Sequence, residues 1–230
     1  MAKKKSFWRT AKKVILYLFI AQLLYIVGGI FLDPPITLTQ LASLAKGDGL
    51  KRDHVSFEQQ GYNAKLAFLA GEDQLFPKHN GFDYKSIRKA MAHNEKNPKR
   101  RRGASTISQQ TAKNVFLWQG GGYFRKGLEV YFTFMIEKIW RKRRILEMYL
   151  NVAQTGKGIF GIQAAAKAYF NKDAKDLTRV EAAQIAASLP NPVKYTVKPL
   201  SNYVSRRSAI LLRQMKNLET DPEIRKLISD

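Results

Sequence analysis

Residues 14–32 read VILYLFIAQLLYIVGGIFL, nineteen positions with no charge and one strongly polar side chain, Gln22. At about 1.5 Å per residue, a helix of this length covers roughly the 30 Å hydrocarbon core of a bilayer. Tyr17 and Tyr25 are compatible with such a setting, and Gly28-Gly29 is a common pair in membrane helices. A cleaved signal peptide has a shorter apolar core that ends at small residues. This run instead finishes in Phe31-Leu32-Asp33-Pro34-Pro35, which favours an uncleaved anchor. Lys3, Lys4, Lys5, Arg9, Lys12 and Lys13 precede the run, and Asp33 follows it with no base close by. The positive-inside rule then predicts a cytoplasmic tail over residues 1–13, a span over 14–32, and an extracytoplasmic domain beyond it.

The outward chain is strongly basic. Of 230 residues, 40 are Lys or Arg and 18 are Asp or Glu, a formal charge of +22. Such a surplus attracts polyanions, whether nucleic acid, anionic headgroups or phosphate-bearing substrates. The predicted orientation argues against nucleic acid, because an extracytoplasmic basic domain meets lipid phosphates instead. There is no cysteine, hence no disulfide framework, thiol nucleophile or thiolate metal site. The length suffices for one sizeable helical domain with an appendage, not for two full catalytic domains.

Beyond the span, residues 33–54 carry Pro34-Pro35 and Gly47-Asp48-Gly49 and read as a linker and entry segment. The remaining residues, 55–230, read as one mainly α-helical domain without a period-2 strand run. Helices are predicted over 63–70, 83–95 with Asp83 as cap, and 108–118 after a basic loop at 96–103. One long helix is predicted over 124–151, where Leu128, Phe132, Met135, Ile139 and Leu146 recur at helical spacing. Further helices are predicted over 162–169, from the capping box Thr178-Arg-Val-Glu181 to Leu189, and over 203–218.

Five short segments stand out in order: EDQLFPKHNGFD at 72–83, GASTISQQTAKN at 103–114, RKGLE at 125–129, RILEMYLN at 144–151, and RRSAIL at 206–211. Alone, a Glu-Asp pair in a loop is ordinary solvated surface, and Glu129 is an ordinary first-turn carboxylate favoured by the helix dipole. Together and in this order, the segments resemble the signatures of peptidoglycan glycosyltransferases. These are the polymerising domains of bifunctional penicillin-binding proteins and of their monofunctional relatives. The resemblance covers about residues 55–215. It implies a lysozyme-like, two-lobed, mainly α domain that polymerises lipid II, an undecaprenyl-diphosphate disaccharide-pentapeptide. The growing glycan strand is then the donor, and the product is a β-1,4-linked strand with inversion. It also implies residence in the cell inner membrane, work beside cell-division or elongation proteins, and sensitivity to moenomycin.

Joining a sugar hydroxyl to a sugar carried on diphosphate needs a base for the hydroxyl and positive charge for the leaving group. On the family pattern Glu72 is the base and Glu129 the second catalytic carboxylate, on the diphosphate side, with a divalent ion (Mg or Mn) held through Glu129. Lys113, Arg125 and Lys126 supply cations there. Ser105, Thr106, Gln109 and Gln110, followed by Asn114, supply hydrogen bonds at a helix start that also favours phosphate. One departure stands out. Where many relatives place an arginine between the second and third signatures, this chain reads WQGGGYF at 118–124, with Gly121 at the matching position. Ser86-Ile-Arg-Lys89 fits the Ser-x-x-Lys pattern of a transpeptidase nucleophile, but no Lys-Thr-Gly partner accompanies it. A lysozyme-like lytic enzyme is the nearest rival, and it has no use for a cationic diphosphate site. His54, His79 and His93 lack metal-ligand spacing, with His79 read as loop architecture.

Overall fold

A computed structural model describes residues 2–98, 100 and 102–229, with side chains from Trp8 onward. The side chains of Lys3, Lys4 and Lys5, and all of Lys99 and Arg101 in the basic loop, lie outside the described residues. The chain divides into two compact units, Met1–Pro34 and Pro35–Asp230.

The first unit is helix α1, Ala2–Gly28. It starts well before residue 14, runs through Arg9, Lys12 and Lys13, and stops at the Gly28-Gly29 pair. Within it Trp8–Gly28 is long and apolar enough to cross a membrane. Ile15, Leu16, Tyr17 and Leu18 follow one another round the helix and are all exposed, as on a helix whose surroundings are themselves apolar.

The second unit is mainly helical. Helix α2 is Leu38–Ala45, started by a Thr37–Gln40 capping box. The central element is α3, Tyr62–Glu72, in which every residue from Ala64 to Ala70 is buried. It packs against α7 (Lys142–Val152), α9 (Arg179–Ser188) and α10 (Asn202–Leu218). Ala182, Ala183, Ala186 and Ala187 are fully buried on α9, and these small side chains let its backbone lie close to α3. The predicted capping box at Thr178 opens α9, and Asp83 caps α4, Tyr84–Lys96. Helix α4 buries no residue of its own. Helix α5, Ile107–Phe116, is capped by Thr106.

The single long helix expected over 124–151 is two helices, α6 (Tyr123–Ile139) and α7. Trp140 and Arg141 between them are extended, with ψ of 148° and 152°. The break follows from packing: Trp140 is buried against Phe116 of α5, ring centroids 6.0 Å apart. Phe116 also stacks on Phe132 of α6 at 4.7 Å. Both helices pack against α5 and together keep the apolar spacing of one straight helix, so periodicity could not separate them.

Three strands of two or three residues also form: β1 (Lys51–Arg52), β2 (Gln154–Gly156) and β3 (Ile159–Phe160). Their order is β1-β3-β2, with β1 parallel and β2 antiparallel to β3. Strands this short leave no alternation to detect. Helix α8 is Ile162–Phe170, and α11, Pro222–Ile228, closes the described chain behind an Asp221 cap.

Candidate active site

Glu72 is the last residue of α3, rather than part of the loop beyond it, because Asp73 N–H still bonds to Leu69 O. It is partly exposed on a cleft of about 820 Å³, whose walls include Asp73, Ser105, Gln110, Tyr203 and Arg207. Gln110 Nε2 donates to Glu72 Oε2 at 2.8 Å, and Tyr149 Oη donates to Gln110 Oε1 at 3.0 Å. Burial pushes the Glu72 carboxyl above the usual carboxylate range. The Gln110 hydrogen bond and the Arg207 guanidinium pull partly the other way.

The loop after Glu72 is tied to the start of α5 from several directions. Asp73 is buried, and its carboxylate accepts from His79 Nε2 at 3.0 Å and from Ile107 N–H at 3.0 Å. His79 Nδ1 accepts from Gly81 N–H at 3.2 Å. Thr106 Oγ1 donates to Gly81 O at 2.6 Å and accepts from Gln109 N–H, while Gln109 Oε1 accepts from Thr106 N–H. Gly81 has φ +89°, and a Cβ there would lie 2.8 Å from Thr133 Cγ2 of α6. Only glycine lets the loop lie this close to α6.

These contacts give structural tasks to several residues that the sequence reading assigned to the substrate. Thr106 and Gln109 are buried and form the capping box, and Thr106 also lines the cleft beside Ser105. The anion at this helix start is the protein's own Asp73. Asn114 is buried too, and its Oδ1 accepts from Gln119 Nε2 at 3.1 Å, which fastens the loop before α6. Ser105 is exposed on the cleft wall, and Gln110 reaches Glu72 directly.

A second cluster surrounds Glu129, on the second turn of α6 and 3% exposed. Its Oε2 accepts from Arg125 Nη1 at 2.7 Å, and its Oε1 accepts from Lys126 Nζ. Lys113 lies one turn beyond Gln110 on the same face of α5. Burial lowers the Lys113 pKa, opposed first by Glu129 and more weakly by Glu72. Lys113 thus stands within electrostatic reach of both carboxylates. Gly121 has φ +90°, and a Cβ there would lie 3.1 Å from Arg125 Cβ and 3.2 Å from Trp118 Nε1. The bare glycine lets Arg125 and Trp118 close over it.

A divalent ion fits these residues poorly. Both oxygens of Glu129 already accept from cationic side chains, and no group of three His, Cys, Asp or Glu able to hold a metal occurs among the described residues. The positive charge here comes from side chains.

A transglycosylase family profile matches residues 39–216. The chain belongs to the transglycosylase family. It is therefore an enzyme, and its mainly helical architecture agrees with the lysozyme-like domain implied by the five segments. The chain is 56% identical over 170 residues to proteins named biosynthetic peptidoglycan transglycosylase from Shigella boydii serotype 4 and from Escherichia coli O157:H7. The aligned part is 74% of this chain and 70% of each relative. The candidate site contains residues to which the sequence assigned no role. Tyr149 and Arg207 lie inside the fourth and fifth segments, yet their places beside Gln110 and Glu72 depend on contacts 39 and 135 residues apart. Glu137 accepts from Ser108 Oγ and from Lys142 Nζ, the latter at 2.7 Å, and braces α5 against α6 and α7. Ser86 Oγ donates to the cap carboxylate of Asp83 at 2.5 Å, so it serves the start of α4. Glu147 pairs with Arg144 at 3.0 Å on α7.

Proposed function

We propose that this transglycosylase polymerises lipid II into β-1,4-linked peptidoglycan strands, with Glu72 as general base. The observation that carries the assignment is the pairing of two unlike sites. A carboxylate held by a neutral amide opens onto the cleft, and a cluster of Lys113, Arg125 and Lys126 gathers around Glu129. Glu72 takes the proton from the 4-hydroxyl of the acceptor disaccharide. That oxygen bonds to the anomeric carbon of the growing strand as the anomeric carbon–diphosphate bond breaks on the opposite face, so configuration inverts. Lys113, Arg125 and Lys126 stabilise the charge on the departing undecaprenyl diphosphate. Glu129 keeps the two α6 cations in place, and Ser105 and Arg207 line the acceptor side of the cleft. Helix α1 anchors the enzyme in the cell inner membrane with its N-terminus cytoplasmic and the domain outside.

The test is to incubate the purified full chain with lipid II and follow glycan polymer. Moenomycin-sensitive polymer is the expected outcome, with no covalent penicillin labelling at Ser86. Absence of polymer from folded protein, or release of soluble fragments from finished glycan, overturns the reading.

A further inference from the structure

Tyr149 is 1% exposed on α7, with its ring edge-on to Phe68 of α3 at a centroid distance of 6.0 Å. Its hydroxyl has one structural task in this region, donation to Gln110 Oε1, and Gln110 in turn donates to Glu72. A primary amide keeps almost the same shape when turned by 180°, so shape alone does not decide whether oxygen or nitrogen faces a neighbour. An amide oxygen turned toward an ionised carboxylate sets acceptor against acceptor. A donor behind the amide prevents this, because it fixes the oxygen on the far side and sends the NH₂ forward. Burial, with Glu72 and Asp73 nearby, pushes the Tyr149 phenol well above its ordinary range, so it remains an O–H donor.

The geometry points to Tyr149 as a positioning residue for the reaction, one that acts through Gln110 to keep a hydrogen-bond donor on Glu72. This rests on the reading of Glu72 as the base. The donated hydrogen bond favours the ionised carboxylate, which is the form able to accept a proton. The other charged groups facing Glu72 are Asp73 beside it, Lys113 on α5 and Arg207 on α10. Each is untouched by Tyr149→Phe, which removes one oxygen and keeps the ring against Phe68.

The experiment measures kcat and KM for lipid II polymerisation across pH in the full chain, for Tyr149→Phe, Gln110→Met, the double variant and Glu72→Gln. For Tyr149→Phe the acidic limb of kcat is expected to move to higher pH, with kcat down about tenfold on that limb and KM changed less than about twofold. Because both residues act on one carboxylate, the double variant is expected to be no worse than Gln110→Met alone. An unmoved limb, a change confined to KM, or fully additive losses overturns the proposal. If Tyr149→Phe does not fold, Gln110→Met carries the same test: a relay requires the same shift of the limb, and an unmoved limb overturns it. Glu72→Gln separates the two readings. Near-normal turnover there removes the base itself, whereas an inactive Glu72→Gln beside an unaltered Tyr149→Phe removes only the relay.

Discussion

The surroundings of Glu72 and of Glu129 differ in what each carboxylate meets. Glu129, 3% exposed, is met by a guanidinium and an ammonium, one on each oxygen. Glu72 is partly exposed on the cleft, and its direct partner is the neutral amide of Gln110, with Arg207 and Lys113 acting only through space. Full countercharge suits a group that organises cations. Incomplete compensation suits a group that must take up a proton. On the proposed assignment the two glutamates take different tasks because their neighbours differ, and substitution can test that separation through stability as well as rate.

The largest effect is expected for Glu72→Gln, with polymerisation falling by roughly 10²–10⁴-fold. Its stability should move the other way. A carboxyl whose folded pKa is raised contributes stability that is present at low pH and lost as pH rises through the folded pKa. At neutral pH the raised Glu72 carboxyl therefore costs stability, and an uncharged isostere removes that cost. Thermal melts at neutral pH should show an unchanged or higher Tm, with the difference vanishing in acid. A lowered Tm together with ordinary turnover would remove Glu72 from the mechanism.

Glu129→Gln should show the reverse sign. It leaves Arg125, whose side chain is only 13% exposed, facing a neutral amide, while Lys126 at 45% exposure is better screened by water. A lower Tm is expected, at about 2–4 °C for each kcal/mol lost. Polymerisation should fall by up to about 10²-fold as the cations lose their alignment. An unchanged melt would mean the paired charges contribute nothing to folding, and the contrast with Glu72 would collapse. Arg207→Met gives a subtler reading. Arg207 holds the Glu72 pKa down and donates to Gly71 O at 3.2 Å. Its loss should carry the acidic limb of kcat to higher pH, and a limb moving to lower pH would contradict the electrostatics.

Much of this arrangement was legible in the sequence for local reasons. The caps at Asp83 and Thr178 act within three residues, so side-chain type and spacing sufficed. Gln110 and Lys113 fall on one face of α5 by helical spacing alone. What escaped was set by distant partners. Whether Thr106 faces a ligand or the carbonyl of Gly81 depends on where a loop 25 residues earlier lies. The break at Trp140 depends on Phe116, and the role of Arg207 on the end of α3. The capping signal Asp221-Pro222 was present but lies beyond the five segments, and the three strands were too short to leave a pattern.

The smallest effect separates two adjacent residues, Ser105 and Thr106, which sequence alone places in one binding role. Thr106 is 3% exposed, caps α5 through the reciprocal pair with Gln109, and ties Gly81 O at 2.6 Å. Ser105 is exposed on the cleft wall. Thr106→Ala should cost about 0.5–2 kcal/mol through the lost cap, with Thr106→Ser restoring most of it. Because this hydroxyl is already taken up by Gly81 O and the Gln109 N–H, KM for lipid II should change little at temperatures where the variant stays folded. Ser105→Ala should leave the melt unchanged, and any effect should appear in KM. Parallel melts and initial rates at low temperature decide the matter. A KM rise in Thr106→Ala with an unaltered Tm would return Thr106 to the ligand, and with it the start of α5 as a phosphate site, despite the carboxylate of Asp73 already bonded to the N–H of Ile107.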